Sequence, residues 1–178
     1  MLMFLDLVNK RESCRHFLEK EVEREKLINC IEAARLAPSA CNSQPWSFVI
    51  VDKKELLPDV AKATQKIGMN KFTDKAGAFI VVCQEKANFT AKVGSVLQET
   101  AFQDIDIGIA VTHICYEATA QGLSTCILGM FDDKKLKDTL SMPKNKKIKL
   151  VIAVGYAERD YLRNKVRKSF DEIAYFAE

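Results

Sequence analysis

Residues 98–121 place the strongest constraint on how this chain folds. Along a helix over that span, Ile105, Ile109, Thr112 and Tyr116 define one apolar side, and Ile107, Val111, Ile114 and Ala118 define another. Only a narrow stripe, Glu99, Asp106, His113 and Glu117, stays polar. A helix that is apolar nearly all round belongs inside a core or in a subunit interface.

Shorter segments flank it. Residues 2–8 read as a short amphipathic helix, followed by the polar run Asn9-Lys10-Arg11-Glu12-Ser13. Residues 23–36 read as a helix, with Leu27, Cys30, Ile31 and Ala34 at helical spacing and Pro38 beyond its end. The β-branched and aromatic run WSFVIV (46–51) is a strand, and residues 53–65 form another helix. Residues 67–75 read as a mobile connection, and AFIVVC (78–83) as a buried strand. Residues 85–94 show no clear period. After the long helix, Gly122 ends it, residues 123–128 form a strand, Asp132 caps a helix over 133–140, and residues 148–156 form another strand. Helices alternating with a few short strands, without repeats, linkers or a Gly-rich loop after a strand, imply one α+β domain over residues 1–178 with a helix-covered sheet.

The totals exclude several classes of function. A length of 178 residues with 48% hydrophobic and 29% charged residues is that of one ordinary globular domain. A net charge of +3 from 27 basic and 24 acidic residues is too balanced for a nucleic-acid binder. Six cysteines without a CxxC pair, most of them in apolar runs, favour a reducing compartment. With two histidines and no Cys/His cluster, no metal site is expected. No apolar run approaches the roughly 20 residues of a membrane span, and the N-terminal run turns charged too soon for a secretory signal, so a cytoplasmic location without membrane association is expected.

Four stretches have residue types suited to holding a ligand. The first is A-P-S-A-C-N-S-Q-P-W (37–46), a connection with two prolines, two serines, an Asn, a Gln and the chain's single Trp, yet no charge. Such a loop suits a flat, uncharged polar ligand. The second is R-x-S-x-R, in which Arg11 and Arg15 offer bidentate charge-assisted bonds and Ser13 a neutral donor, a set suited to phosphate. Read by itself, the triplet is first a solvated charged turn. The third, Lys165-x-Arg167 with Lys168, is a second basic group that by itself reads as a solvated tail. The fourth is Leu128-Gly129-Met130, where a strand leaves the core and glycine lets backbone N–H groups approach a ligand, unless the glycine serves only a turn. His113 and His16 read as structural. Cys14 and Cys41 fall inside candidate stretches without a low-pKa context, and Ser39 and Ser43 lack a hydrolase setting. No side chain stands out as catalytic.

In series, R-E-S-C-R-H-F, A-P-S-A-C-N-S-Q-P-W, D-I-G-I-A, G-L-S-T-C-I-L-G-M-F and K-V-R-K-S-F-D-E-I resemble, in order and spacing over almost the whole chain, the nitroreductase family of flavoproteins. The resemblance implies an α+β fold with a central, mainly antiparallel sheet flanked by helices, in an intertwined homodimer. Two FMN molecules would lie in the interface, and C-terminal extensions (about 157–178) would embrace the partner. It implies that Arg11, Ser13, Arg15, Lys165 and Arg167 hold the FMN phosphate and ribityl chain. Pro38, Ser39, Ala40 and Asn42 of the other subunit would line the isoalloxazine with Gln44 nearby, and Leu128 and Gly129 would face its N5 edge. NADH or NADPH would give a hydride to FMN and leave, and a small-molecule acceptor such as a nitroaromatic or quinone would then be reduced. The flavin carries the redox chemistry, which accounts for the poverty of catalytic side chains.

Ala40 stands where the family often has a second Ser, and Glu12 where it often has a cation, which opposes phosphate binding unless that carboxylate points away. The alternatives left open are a non-catalytic FMN-binding or sensing protein and a specialised flavin reductase such as a reductive dehalogenase.

Overall fold

A computed structural model describes residues 3–159 and 162–177. The first residue of the helix expected over 2–8, and residues 160, 161 and 178 of the expected tail, lie outside the described residues.

The chain runs α1 (Phe4–Lys10), α2 (Arg24–Arg35), β1 (Trp46–Val51), α3 (Leu57–Thr64), β2 (Ala78–Gln84), α4 (Phe89–Leu97), α5 (Phe102–Ala120), β3 (Ser124–Leu128), α6 (Asp133–Thr139) and β4 (Lys147–Gly155). The four strands form one sheet in the order β1-β2-β4-β3, with every neighbouring pair antiparallel. This is the α+β architecture with a helix-flanked antiparallel sheet.

The sheet is buried on both faces, which explains why β2 reads as a continuous apolar run rather than an alternating one. Successive side chains point to opposite faces. Ala78, Ile80, Val82, Ile152 and Val154 join Leu27, Cys30 and Ala34 of α2 and Ile107, Val111 and Ile114 of α5 in one core. Phe79, Val81, Cys83, Val151 and Ala153 join Val60 and Ala61 of α3 and Leu136 of α6 in the other. Outside β3, Ser13 makes a parallel bridge to Thr125, with the Cys14 N–H donating to the Thr125 carbonyl at 2.9 Å. That bridge seats the polar run after α1 against the sheet.

The apolar pattern of the long helix resolves into two different surroundings. Ile107, Ala110, Val111, Ile114 and Ala118 are buried in the chain's own core. On the other side Ile105 is 52% exposed, and a Cβ added at Gly108 would meet nothing within 4 Å. Ile109 packs against the core and the Tyr116 ring meets Phe4 of α1, so the chain by itself covers this second side only in part and leaves it open around Ile105 and Gly108.

Several expectations are corrected. The long helix begins at Phe102, not at residue 98, because Glu99 adopts a left-handed φ of 49° that a helix interior excludes. The unassigned segment 85–94 contains the start of α4, capped by the Asn88 side chain, which accepts from the Ala91 N–H at 2.9 Å. The helix expected over 53–65 begins at Leu57, with Pro58 in its first turn. The connection expected to be mobile is instead folded into 3₁₀ turns at Lys66–Gly68 and Lys71–Lys75. A buried hydroxyl pair, Thr64 to Thr73 at 2.9 Å, and an Asn70 side-chain N–H donating to the Thr64 carbonyl at 3.0 Å hold that segment.

Candidate functional site

The two basic groups, 150 residues apart in sequence, come together. Arg11, Ser13, Arg15, Arg163, Lys165 and Arg167 line one depression of about 330 Å3. Sheet pairing places the N-terminal wall, and the tail supplies the other. The Lys165 ammonium donates to the Val8 carbonyl at 3.0 Å and to the Asn9 carbonyl, so it also caps the C-terminal end of α1. Arg167 donates to the Val166 carbonyl at 2.7 Å.

The depression contains one carboxylate, Glu12, and the structure shows what becomes of it. Arg163 donates from Nε to the Glu12 carboxylate at 3.2 Å and from its terminal nitrogen to the Ser13 carbonyl at 2.8 Å. The anion that would oppose a bound phosphate is thereby neutralised, and the same guanidinium ties the tail to the N-terminal segment. The remaining cations crowd one another. Partial burial, followed by the charges of Arg11 and Arg167, pushes the Lys165 ammonium below its usual value. An anion placed among these groups relieves that repulsion.

The charge-free loop is a separate structure. Ala40–Asn42 forms a 3₁₀ turn, and Cys41, Asn42 and Gln44 have φ values of 51°, 49° and 46°. Asparagine tolerates the left-handed region, whereas Cys and Gln do so at a cost of about 1–2 kcal/mol each. The surroundings over-determine this conformation. The Ala40 N–H donates to the buried Asp106 carboxylate at 3.0 Å, and the Gln44 N–H donates to the Ser39 hydroxyl at 2.9 Å. The Gln44 side-chain amide donates to the Asn42 side-chain oxygen at 3.0 Å. Asn88 donates from its N–H to the Ser43 hydroxyl and from its side chain to the Cys41 carbonyl, both at 2.9 Å. Strained backbone held this firmly is a mark of a binding site. Pro38 is exposed, Pro45 is buried, and Trp46 packs on the core as the first residue of β1.

Leu128 ends β3 with its side chain buried, while Gly129 is exposed and faces open space at its Cβ position. None of the residues from 37 to 46, nor Leu128 or Gly129, lines the basic depression. The expected site residues therefore form a cationic group, a strained neutral loop and a strand exit.

Sequence reasoning missed Asp106, Arg163 and Asn88. Asp106 was legible as an acid in a helix otherwise apolar on two sides, whereas the partners of Arg163 and Asn88 depend on tertiary placement. His113 is structural, its Nδ1 lying 2.9 Å from the Ile109 carbonyl of its own helix. All six cysteines are free thiols, and burial raises the pKa of Cys14, Cys83, Cys115 and Cys126 and pushes Cys30 up to about 12. Among the described residues there is no group of three or more His, Cys, Asp or Glu arranged for a metal, and no helix is long and apolar enough to cross a membrane.

Comparison with known proteins bears on these features. The sequence model of the Nitroreductase family matches residues 8–156. The oxygen-insensitive NADPH nitroreductase of Helicobacter acinonychis is 32% identical over 181 residues, covering 84% of this chain and 85% of its own. An iodotyrosine deiodinase of Thermotoga neapolitana is 23% identical, covering 93% and 96% of the two chains. Among solved structures, an FMN-dependent nitroreductase from Clostridium difficile R20291 superposes with a TM-score of 0.74 at 27% identity, covering 98% and 99% of the chains. A nitroreductase family protein from Streptococcus pneumoniae gives a TM-score of 0.81 at 23% identity, covering 98% and 100%.

Proposed function

The chain belongs to the nitroreductase family, and from that premise we propose that it works as a homodimeric FMN-dependent NAD(P)H oxidoreductase acting on an electron-poor acceptor such as a nitroaromatic or a quinone. The gathering of Arg11, Arg15, Lys165 and Arg167 around one depression carries the proposal, because several cations brought together with a neutral hydroxyl suit a phosphate dianion. The donor set fits FMN in other respects. Arg11, Arg15, Lys165 and Arg167 would hold the phosphate, with Ser13 as a neutral donor beside it. The uncharged loop (Pro38, Ser39, Ala40, Asn42 and Gln44) would offer neutral hydrogen bonds to the ring, and open space at Gly129 admits a flat group close to the backbone after Leu128. FMN held there would supply the hydride-transfer chemistry between NAD(P)H and the acceptor.

The residues of this chain then have defined tasks. Arg163 pairs with Glu12 inside the depression and offsets the charge that would oppose a phosphate. Asp106 and Asn88 hold the strained loop in shape before any ligand arrives, so that little ordering remains to be done on binding. The donor and the acceptor would use the same open face in turn, a two-step exchange in which water can supply the proton that the reduced acceptor takes up.

A second copy of the chain accounts for the surfaces that one copy leaves uncovered. Ile105 on α5 is half exposed, and the tail presents Val166, Phe170, Ile173 and Phe176 to solvent. In a dimer the part of α5 left open would pack on its counterpart and the tail (residues 157–178) would embrace the partner. The loop of one subunit would then meet the basic depression of the other, which agrees with their separation within one chain. Purified protein should be yellow or take up added FMN, and anaerobic NADH or NADPH should bleach it. A colourless protein that refuses FMN would refute the proposal.

A further inference from the structure

The apolar stripe of α4 points away from the protein. Ala91 is the buried residue of this helix, and Gly94 lies against the Phe102 ring of α5, which a Cβ added there would meet at 3.4 Å. At about 100° of turn per residue, Phe89, Val93, Val96 and Leu97 fall together on the opposite side. They are 81%, 41%, 78% and 74% exposed. A helix that packs on its own core turns its large apolar side chains inward. In α4 the small residues face the protein and the large ones face away.

Unneutralised positive charge accompanies the stripe. Lys92 stands on its flank and Lys86 just before the helix, and both line a groove shared with Lys147; all three are exposed. Among the described residues none of the three forms an ion pair, whereas the nearby Lys146 and Lys149 are paired with Glu85 and Asp104. α4 itself has no acidic residue, and Glu99 follows only beyond its C-terminal end.

We propose that α4 seats the protein reversibly on an anionic lipid surface. Phe89, Val93, Val96 and Leu97 would enter the boundary of the acyl chains, and Lys86, Lys92 and Lys147 would meet the lipid phosphates. Charge and shape favour this occupant. A second copy seated stripe against stripe by a two-fold axis would set Lys92 near its own counterpart with no acid from either helix. The stripe is also a ridge, which a rigid partner could take only in a matching cleft, whereas lipid yields to it. The expectation of no membrane association rests on the lack of an apolar run long enough to span a bilayer, and a helix that lies in the interface needs none. Asn88, the N-cap of α4, bonds to Ser43 and to the Cys41 carbonyl, so a seated helix holds the neutral loop near the lipid. The contact itself does not depend on FMN.

Cosedimentation of the full chain with vesicles tests the proposal, using phosphatidylglycerol mixed with phosphatidylcholine against phosphatidylcholine alone. The wild type should bind the anionic vesicles, ignore the neutral ones and come off as salt is raised. Lys86→Gln with Lys92→Gln should weaken binding by about 20–30-fold, roughly fivefold for each charge. Phe89→Ser with Val96→Ser should abolish it while keeping every charge. These positions are exposed, and far-UV circular dichroism checks that the fold is kept. A wild type that stays in solution at low salt, or binding unaltered in the Phe89→Ser, Val96→Ser variant, would overturn the proposal. So would a dimer that ignores vesicles and falls to monomer in that variant, which would give the stripe to a second copy. Flavin absorbance is read on each sample: vesicle binding by a colourless protein that refuses FMN would uphold the lipid contact and refute the flavin reading, and a yellow protein that never binds vesicles would do the reverse.

Discussion

Asp106 offers a way to measure how much the shape of the neutral loop matters for binding. Asp106 is only 4% exposed, and among the described residues the one hydrogen-bond partner of its carboxylate is the Ala40 N–H at 3.0 Å. A hydrogen bond to a charged acceptor contributes about 1.5–3 kcal/mol. Opposing it is the left-handed backbone of Cys41 and Gln44, about 1–2 kcal/mol each. The two magnitudes are comparable, so removing the tether leaves the strain to be borne by the Ser39, Asn88 and Gln44–Asn42 contacts, and the loop relaxes. Asp106→Ala should therefore weaken FMN binding by about 10–100-fold, the equivalent of 1.4–2.8 kcal/mol. Asp106→Asn keeps a neutral acceptor and should lose about half of that free energy. Quenching of FMN fluorescence during titration gives both dissociation constants, and far-UV circular dichroism confirms that α5 is intact. An FMN affinity for Asp106→Ala within twofold of the wild type would refute the reasoning, because the loop conformation would then owe nothing to the carboxylate or be irrelevant to binding.

Other outcomes follow from packing and charge. Gly77→Ala would place a Cβ 2.4 Å from the Lys20 carbonyl oxygen and 2.9 Å from a Val22 methyl; it should cost about 1–3 kcal/mol or more in urea denaturation. Gly94→Ala within α4 meets only the Phe102 ring, at 3.4 Å, and should instead stabilise by about 0.5–1 kcal/mol. Glu85 has its pKa lowered by hydrogen bonds from Lys146 first and Ser47 second. Because the folded value lies below the unfolded one, its contribution is fully present above the ordinary carboxylate pKa and is lost as the pH falls through the folded value. The stability gap between wild type and Glu85→Gln, measured by denaturation across the acid range, should close on acidification; a gap constant down to strongly acidic pH would contradict the pairing.

The strands were the most legible part of the sequence, for a physical reason. β1 and β2 are runs of β-branched and aromatic residues, and β2 is covered on both faces, so composition alone marks them. α4 escaped notice because its apolar residues, Phe89, Val93, Val96 and Leu97, point outward instead of toward a core that would reveal them by contrast with polar neighbours. The start of α5 was misplaced because a single left-handed residue, Glu99, separates two helical patterns that read as one. In the basic depression, Arg11, Ser13, Arg15, Lys165 and Arg167 were recognisable by residue type. The role of Arg163 was not, since its partner Glu12 lies 151 residues away and no local pattern links them. Asp106 appeared among the polar residues of its helix, yet its function depends on a backbone N–H from a loop 66 residues earlier.

The central claim is that the cations gathered around Arg11 and Lys165 exist to hold the FMN phosphate. Parallel titrations of the apoprotein with FMN and with riboflavin isolate that group, since the two flavins differ only by the phosphate. The account predicts that the wild type strongly prefers FMN and that Arg15→Ala and Arg167→Ala each reduce the preference by about tenfold or more, through loss of FMN affinity with riboflavin affinity little changed. Equal affinity for the two flavins in the wild type, or a preference untouched by both variants, would contradict it.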